Sequence, residues 1–448
     1  MNGHFLSIDG LIMWRQATSL VYHGSWSLSP TVWWGDYVRS SYRGVGASLQ
    51  YVPGLFALDW LSGHLPVQAG PHYDFKLFYG DILYILSGAP LWALVTAVTA
   101  YLVGLTARVL GGDHKQALWA MAFYGLGSPA FAASRGDWPQ PLVAICWAAG
   151  AYGCLRYLND RRGRWLWLAG IAVFYGVLTR PLEGSLLLPA ELILLLPLIR
   201  RNPGAGGSQI GAWAVGIGVT MLTNWARFGG PLNFGYAQSQ EAWTTPIWIG
   251  LPGDVVSPGR GILWEFPALV IALVGLVYLW RRRDRWIAIA LGGLPAVLLV
   301  EASLYVDWVG GWDWGFRFFQ PALPLLAGVA GVGVVALPRA LRLWLPAVVL
   351  GVGLIWNAPV ILTDLLAGYG AAYADGAANF RLDAYPPIGA WRFLHHLRPQ
   401  SGLDSAGIDL VWLRAYTYVG PLALVPFVLL IAGAAVLWRR TWRELRRV

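Results

Sequence analysis

Apolar residues in this chain come in long uninterrupted runs. Eleven of them lie near residues 85–107, 116–133, 140–156, 165–179, 184–199, 210–226, 263–280, 286–303, 319–336, 343–361 and 418–437. A helix needs about 20 such residues to cross the roughly 30 Å hydrocarbon core of a bilayer, so the pattern predicts a polytopic, all-α membrane protein of about eleven spans. Several runs contain proline (Pro189, Pro197, Pro267, Pro324, Pro346 and Pro426), which spanning helices tolerate when neighbours satisfy the freed backbone groups. Composition points the same way: 57% of the 448 residues are hydrophobic, 12% are charged and 27 are Trp, which excludes a soluble domain.

Charge gives the runs an orientation. If the first runs from outside to inside, the inner loops hold Arg108 and Lys115; Arg156, Arg161, Arg162 and Arg164; Arg200 and Arg201; Arg281, Arg282, Arg283 and Arg285; Arg339 and Arg342; and Arg439, Arg440, Arg443, Arg446 and Arg447. That is 19 of the 32 basic residues, beside only four acids, Asp113, Asp160, Asp284 and Glu444. Basic residues in short loops mark the cytoplasmic side. The net charge of +9 therefore reflects topology; a nucleic-acid partner would need a clustered basic face, and none is present in the sequence. The expected location is the cytoplasmic (plasma) membrane, multi-pass, with membrane lipids as partners and the chemistry on the extracytoplasmic face. The inner loops carry no Gly-rich phosphate cradle, which argues against an ATP-driven machine. Cys146 and Cys154, eight apart on one predicted helix, are separated by roughly 12 Å along its axis, too far for a disulfide; they read as core thiols.

Four segments face outward in this scheme: 1–84, a first loop with interfacial helices; 227–262 and 304–318, outer loops of a bundle spanning 85–361; and 362–417, a loop or small cap before a last span and basic tail at 418–448. Residues 1–84 have no hydrophobic span ahead of them. Either a twelfth, N-terminal span is missing through a wrongly chosen start, or the terminus is translocated by the helix that follows; an even number of spans, with both ends inside, favours the first.

The outer segments hold the chemistry. Asp9, in Ser7-Ile8-Asp9-Gly10, precedes an amphipathic stretch with Leu11, Trp14, Thr18, Leu20, Val21 and Tyr22. A carboxylate under an interfacial helix is desolvated and suits a general base, while an ordinary helix cap is the plainer reading. Tyr42-Arg43-Gly44-Val45-Gly46 leads into Ser48 to Pro53, and Arg43 reads either as a phosphate ligand or as a snorkelling interface residue. Ser257-Pro258-Gly259-Arg260-Gly261 and the stretch from Trp308 through Asp313, Gly315, Phe316 and Arg317 to Pro321 each precede an apolar run. Guanidinium groups at helix starts are natural anion sites, and two such sites ringed by aromatics suggest a lipid-linked phosphate. No His or Cys spacing matches a zinc site. The outer tryptophans read mostly as interface anchors.

Taken in order, Asp9-Gly10, the stretch from Tyr42 to Pro53, Thr179-Arg180-Pro181, Ser257 to Gly261, and Gly315-Phe316-Arg317 with Pro321 resemble the GT-C glycosyltransferases that use polyprenyl-phosphate sugars, in the protein mannosyltransferase and aminoarabinose transferase branch. The resemblance spans residues 5–335. It implies inverting transfer from a polyprenyl-phosphate sugar donor to a hydroxyl or amine of a lipid, glycan or protein acceptor, with Asp9 as base. Tyr42, Arg43, Ser257, Arg260, Arg317, Asp313 and Asp36 are the candidate substrate-binding residues, and Asp36, Asp307 and Asp313 the candidates for a second carboxylate. No cofactor is assigned, with a divalent cation left open and no metal ligand named. Two features depart from the family: a span normally precedes the Asp, and many members carry a second acid where this chain has Gly10.

A rival class is a secondary transporter or lipid flippase, for which an ionisable residue near the midplane is typical. Glu191, beneath Pro189, is the residue that keeps it open; the plainer expectation is a hydrogen bond within the bundle or a pair with an arginine. A non-catalytic scaffold would leave Asp9, Arg260 and Arg317 far apart.

Overall fold

In the computed structural model, residues 8–26, 44–62, 89–135, 138–235, 242–282, 284–310, 314–362 and 380–381 are described, with single positions at 421, 425, 428, 432 and 439. They are mainly helical, and no strand occurs among them. Three helices come first: α1 (Ile8–His23), α2 (Val45–Leu49) and α3 (Val52–Ser62). The bundle follows, with α4 (Ala89–Val109), α5 (His114–Gly125), α6 (Ala130–Ala133), α7 (Gln140–Asp160), α8 (Gly163–Thr179), α9 (Pro181–Ile199) and α10 (Pro203–Phe228). After it come α11 (Ile247–Val256), α12 (Ile262–Glu265), α13 (Leu269–Arg281), α14 (Arg285–Leu304), α15 (Leu323–Ala336) and α16 (Trp344–Leu362).

Ten of the eleven predicted runs are helical, and the eleventh, 418–437, lies almost wholly outside the described residues. Among the described residues six helical stretches are long and apolar enough to cross a membrane by themselves, and α8, α11 and α13 are shorter apolar helices. This is a multi-pass membrane protein. Three runs depart from single straight helices, each at a proline. The run 116–133 breaks between α5 and α6 at Ser128-Pro129, where the Ser128 hydroxyl donates to the Tyr124 carbonyl and accepts from Ala130 N–H. The run 263–280 breaks at Phe266-Pro267, between α12 and α13. The third starts as a 3₁₀ turn, Arg317–Ala322, containing Pro321. Proline has no N–H for the helix ladder and clashes with the preceding turn.

Two of the acids at the basic end are structural. Asp113 forms a reciprocal capping box with Gln116 at the start of α5. Asp160 accepts from Arg156, from the Arg162 backbone and from Trp165.

At the centre of the bundle lie α7 and α15, the most buried of the six long helical stretches. Close helix crossings are made at glycine: a Cβ on Gly333 or Gly275 would run into the facing backbone of α13 or α15, and one on Gly184 into Gly176 of α8. Small residues let spanning helices approach this closely. Cys146 and Cys154 are buried free thiols in α7. Glu191 corrects an expectation: it is fully buried in α9 against Gly150, and neither carboxyl oxygen has a hydrogen-bond partner among the described residues, arginine or otherwise. A Cβ at position 150 would overlap its carboxyl, so Gly150 provides the space that the carboxyl occupies.

At one end of the bundle α1, α2 and α3 form a second apolar cluster. Met13, Trp14, Ala17, Ala47, Tyr51 and Leu55 pack there on Trp92 and Val95 of α4 and Leu142 of α7. Trp14 and Thr18 are buried and Tyr22 is exposed, so the amphipathic stretch turns its Trp14 side to protein. Gly44 and Gly46 bring α2 against the last turn of α8, where any Cβ would collide with Leu178 or Thr179. The Tyr175 hydroxyl donates to the Gly46 carbonyl at 2.8 Å. This end, opposite the arginine-rich loops, is where the candidate chemistry collects.

Candidate functional site

The site is built from three places in the chain: the turn between α11 and α12, residues 314–320, and the ends of α7, α8 and α9. In the first, the Arg260 backbone N–H donates to Ser257 Oγ at 3.2 Å and Gly261 N–H to the Ser257 carbonyl at 2.8 Å, closing a tight turn. The Arg260 side chain points inward and is only 1% exposed. Its Nη1 donates to the Gly315 carbonyl at 2.6 Å. One residue later, Phe316 N–H donates to Glu265 Oε2 at 2.7 Å. Arg260 and Glu265 thus hold the two polar groups of one peptide bond, from opposite sides. Gly315 is the residue that permits it: its φ is +75°, and a Cβ there would lie 2.5 Å from Glu265 Oε2. Asn357 of α16 anchors the other end by donating to the Glu265 carbonyl at 3.1 Å.

This grip fixes the backbone from which Arg317 projects. The Arg317 guanidinium lies 4.5 Å from the Trp138 ring centroid and 5.0 Å from that of Phe318, and the residue is 9% exposed. Arg180, at the junction of α8 and α9, approaches the same Phe318 ring at 5.9 Å and pairs with Glu183 one helical turn on. Glu301, near the end of α14, accepts from Trp243 Nε1 at 2.9 Å. Behind Arg260, buried Asp254 accepts from the Ser303 hydroxyl at 2.7 Å. Burial pushes the Asp254 carboxyl well above the usual carboxylate range, against the opposing pull of Ser303 and Arg260.

Of the residues expected from sequence, Ser257, Arg260 and Arg317 come together here. The α12 that follows Arg260 is only four residues long, and the Arg260 guanidinium faces inward onto the Gly315 carbonyl. Asp9 has its backbone in the first turn of α1, and its side chain lies outside the described residues, as do Asp36, Tyr42, Arg43 and Asp313. Asp307 is half-buried. Sequence reasoning missed Asp254, Glu265 and Glu183 and gave Arg180 no role. The available signal was isolated acids within apolar segments, which are costly unless partnered. Among the described residues no three His, Cys, Asp or Glu side chains gather as metal ligands.

This end of the bundle can be set beside known proteins. Residues 75–216 match the dolichyl-phosphate-mannose-protein mannosyltransferase family. The fold is similar to that of ArnT from Cupriavidus metallidurans bound to undecaprenyl phosphate, at 16% identity and a TM-score of 0.52, covering 88% of this chain and 67% of that one. The chain has the fold of the GT-C glycosyltransferases. ArnT in its apo state gives a TM-score of 0.51 at 14% identity, over 87% of this chain and 71% of that one. The archaeal oligosaccharyltransferase AglB from Archaeoglobus fulgidus, in complex with an inhibitory peptide and a dolichol-phosphate, gives 0.44 at 10% identity, over 91% and 57%. No curated protein matches the chain. The family match takes in α4 to α9 and part of α10, and so includes Trp138 and Arg180 but neither Arg260 nor Arg317.

Proposed function

We propose that this GT-C-type glycosyltransferase moves a sugar from a polyprenyl-phosphate carrier to a hydroxyl or amine of an acceptor, on the extracytoplasmic side of the plasma membrane. The observation that carries the reading is Arg317, stacked on Trp138 and Phe318 and held by the Arg260–Glu265 grip, with Arg180 on the same Phe318 ring. A preorganised guanidinium suits a leaving phosphate, whose charge grows as the bond to the anomeric carbon breaks. The ArnT structure bound to undecaprenyl phosphate supports a lipid phosphate as the leaving group.

In the proposed step the acceptor oxygen or nitrogen attacks the anomeric carbon opposite the phosphate. Its proton passes to the Asp9 carboxylate, and the electron pair of the broken C–O bond leaves on the phosphate. A single displacement of this kind inverts the anomeric centre. In this scheme Arg317 is the phosphate ligand and Arg260 acts through the turn it grips; Arg43, Tyr42, Asp36 and Asp313 remain proposed donor or acceptor contacts. The test is the stereochemistry of the product formed from an anomerically pure polyprenyl-phosphate sugar. Inversion is expected, and retention, or a requirement for a nucleotide sugar, would overturn the reading.

A further inference from the structure

On the segments that carry Arg317 and its Trp138 ring are buried polar atoms with no hydrogen-bond partner among the described residues. Gln140, in the first turn of α7, is 1% exposed, and neither its Nε2 nor its Oε1 has a hydrogen-bond partner among the described residues. Two residues earlier, Trp138 is 4% exposed with its Nε1 equally without one, and Gln320, 3% exposed, has an unpartnered Oε1. These residues come from two facing elements. The 3₁₀ turn Arg317–Ala322 packs on α7, and the Arg317 guanidinium sits 4.5 Å over the Trp138 ring. In a 3₁₀ helix, side chains at i and i+3 eclipse, so Gln320 follows Arg317 on one face.

Each orphaned buried donor or acceptor costs about 1–3 kcal/mol, and native interiors rarely accumulate them. Four within two facing turns are not a packing solution. Other buried polar atoms, those of Glu191, Trp92 and Thr96 among them, also have no partner among the described residues, but these four lie on the two facing segments that carry Arg317 and the Trp138 ring beneath it. The set is neutral and mixed: Gln140 Nε2 and Trp138 Nε1 can donate, while Gln140 Oε1 and Gln320 Oε1 can accept. A phosphate, which only accepts, would leave both acceptors unused. Hydroxyl groups, each donor and acceptor at once, match all four.

We infer that Gln140 and Gln320, with Trp138, form the subsite that reads the hydroxyl groups of the donor sugar, next to the phosphate held by Arg317. The inference rests on the donor proposed above, and it makes the amides specificity-determining residues for an uncharged polyol portion. A site built to hydrogen-bond hydroxyls rejects an analogue lacking them, because its buried polar groups are then left unpaired.

The experiment compares wild-type protein with Gln140→Met, Gln140→Asn and Gln320→Met in detergent. Binding is measured for undecaprenyl phosphate and for its mannosyl, glucosyl and arabinosyl esters, with thermal unfolding as the check on fold. Wild type is expected to bind one glycosylated carrier at least tenfold more tightly than the bare carrier. The Met variants are expected to lose that preference while still binding the bare carrier as wild type does, and Gln140→Asn to recover part of it. Equal weakening for sugar-bearing and bare carrier, or an unchanged preference in both Met variants, would overturn the subsite and leave the donor class standing. A wild-type protein that binds none of the four lipids would overturn the donor class and the subsite together.

Discussion

Replacing Gly315 by alanine tests the grip on the arginine-bearing turn. The backbone there has φ +75°, and the new Cβ would lie 2.5 Å from Glu265 Oε2 and 2.9 Å from its Cδ. Left-handed backbone costs an L-residue about 1–2 kcal/mol. Relieving the clash moves the carboxylate off Phe316 N–H, and a hydrogen bond to a charged group is worth about 1.5–3 kcal/mol. The substitution therefore costs about 2.5–5 kcal/mol if the Arg260 bond to the Gly315 carbonyl survives. Because Arg317 lies two residues on, the guanidinium moves with the turn, and a misplacement of about 1 Å can cost roughly a hundredfold in rate. The assay is sugar transfer in detergent, read beside thermal unfolding. Gly211→Ala serves as control, because a Cβ there meets nothing within 4 Å. A roughly hundredfold loss in Gly315→Ala, with Gly211→Ala unaffected, is expected; wild-type transfer in Gly315→Ala would refute the idea that the grip positions Arg317.

Three further outcomes follow from the same geometry. Arg317→Lys keeps the charge but loses the guanidinium's contacts with the Trp138 and Phe318 rings, worth about 0.5–2 kcal/mol, so donor KM should rise about tenfold with a smaller change in kcat; an unchanged KM would remove Arg317 from donor binding. Glu191→Gln keeps the shape of a buried side chain that has no hydrogen-bond partner among the described residues and removes its ionisable group, so transfer should persist and Tm hold or rise; loss of activity would revive the transporter reading. Asp254 is buried and its carboxyl raised, so its protonated form favours the fold. That contribution is complete below about pH 4, the ordinary carboxylate range, and is lost as pH climbs towards the raised folded value. Asp254→Asn should flatten this decline in Tm, and an identical pH profile in the variant would count against it.

The spans were legible because length and apolarity are local properties. Ten runs became helices where the sequence put them; two of these broke, at Pro129 and Pro267, and a third opens as a 3₁₀ turn containing Pro321, because the effect of a proline depends on whether neighbouring groups can take over the lost backbone bonds. Arg317 was legible as a candidate because an arginine stands out in an aromatic, glycine-rich loop. Its support was not. The grip joins Arg260 to Gly315 and Glu265 to Phe316, more than fifty positions apart in each case, and the stack joins Trp138 to Arg317. No local pattern encodes such pairings. Arg260 was legible as a guanidinium beside a helix start, but its bond to the Gly315 carbonyl, 55 positions on, was not.

The most direct test is release of polyprenyl phosphate from a panel of radiolabelled polyprenyl-phosphate sugars, with wild-type protein and Asp9→Asn side by side. Wild type should release lipid phosphate from at least one donor and form a glycosylated product, while the folded Asp9→Asn protein binds the same donor and releases almost none. Release by neither protein from any donor, or equal release by both, would contradict the account.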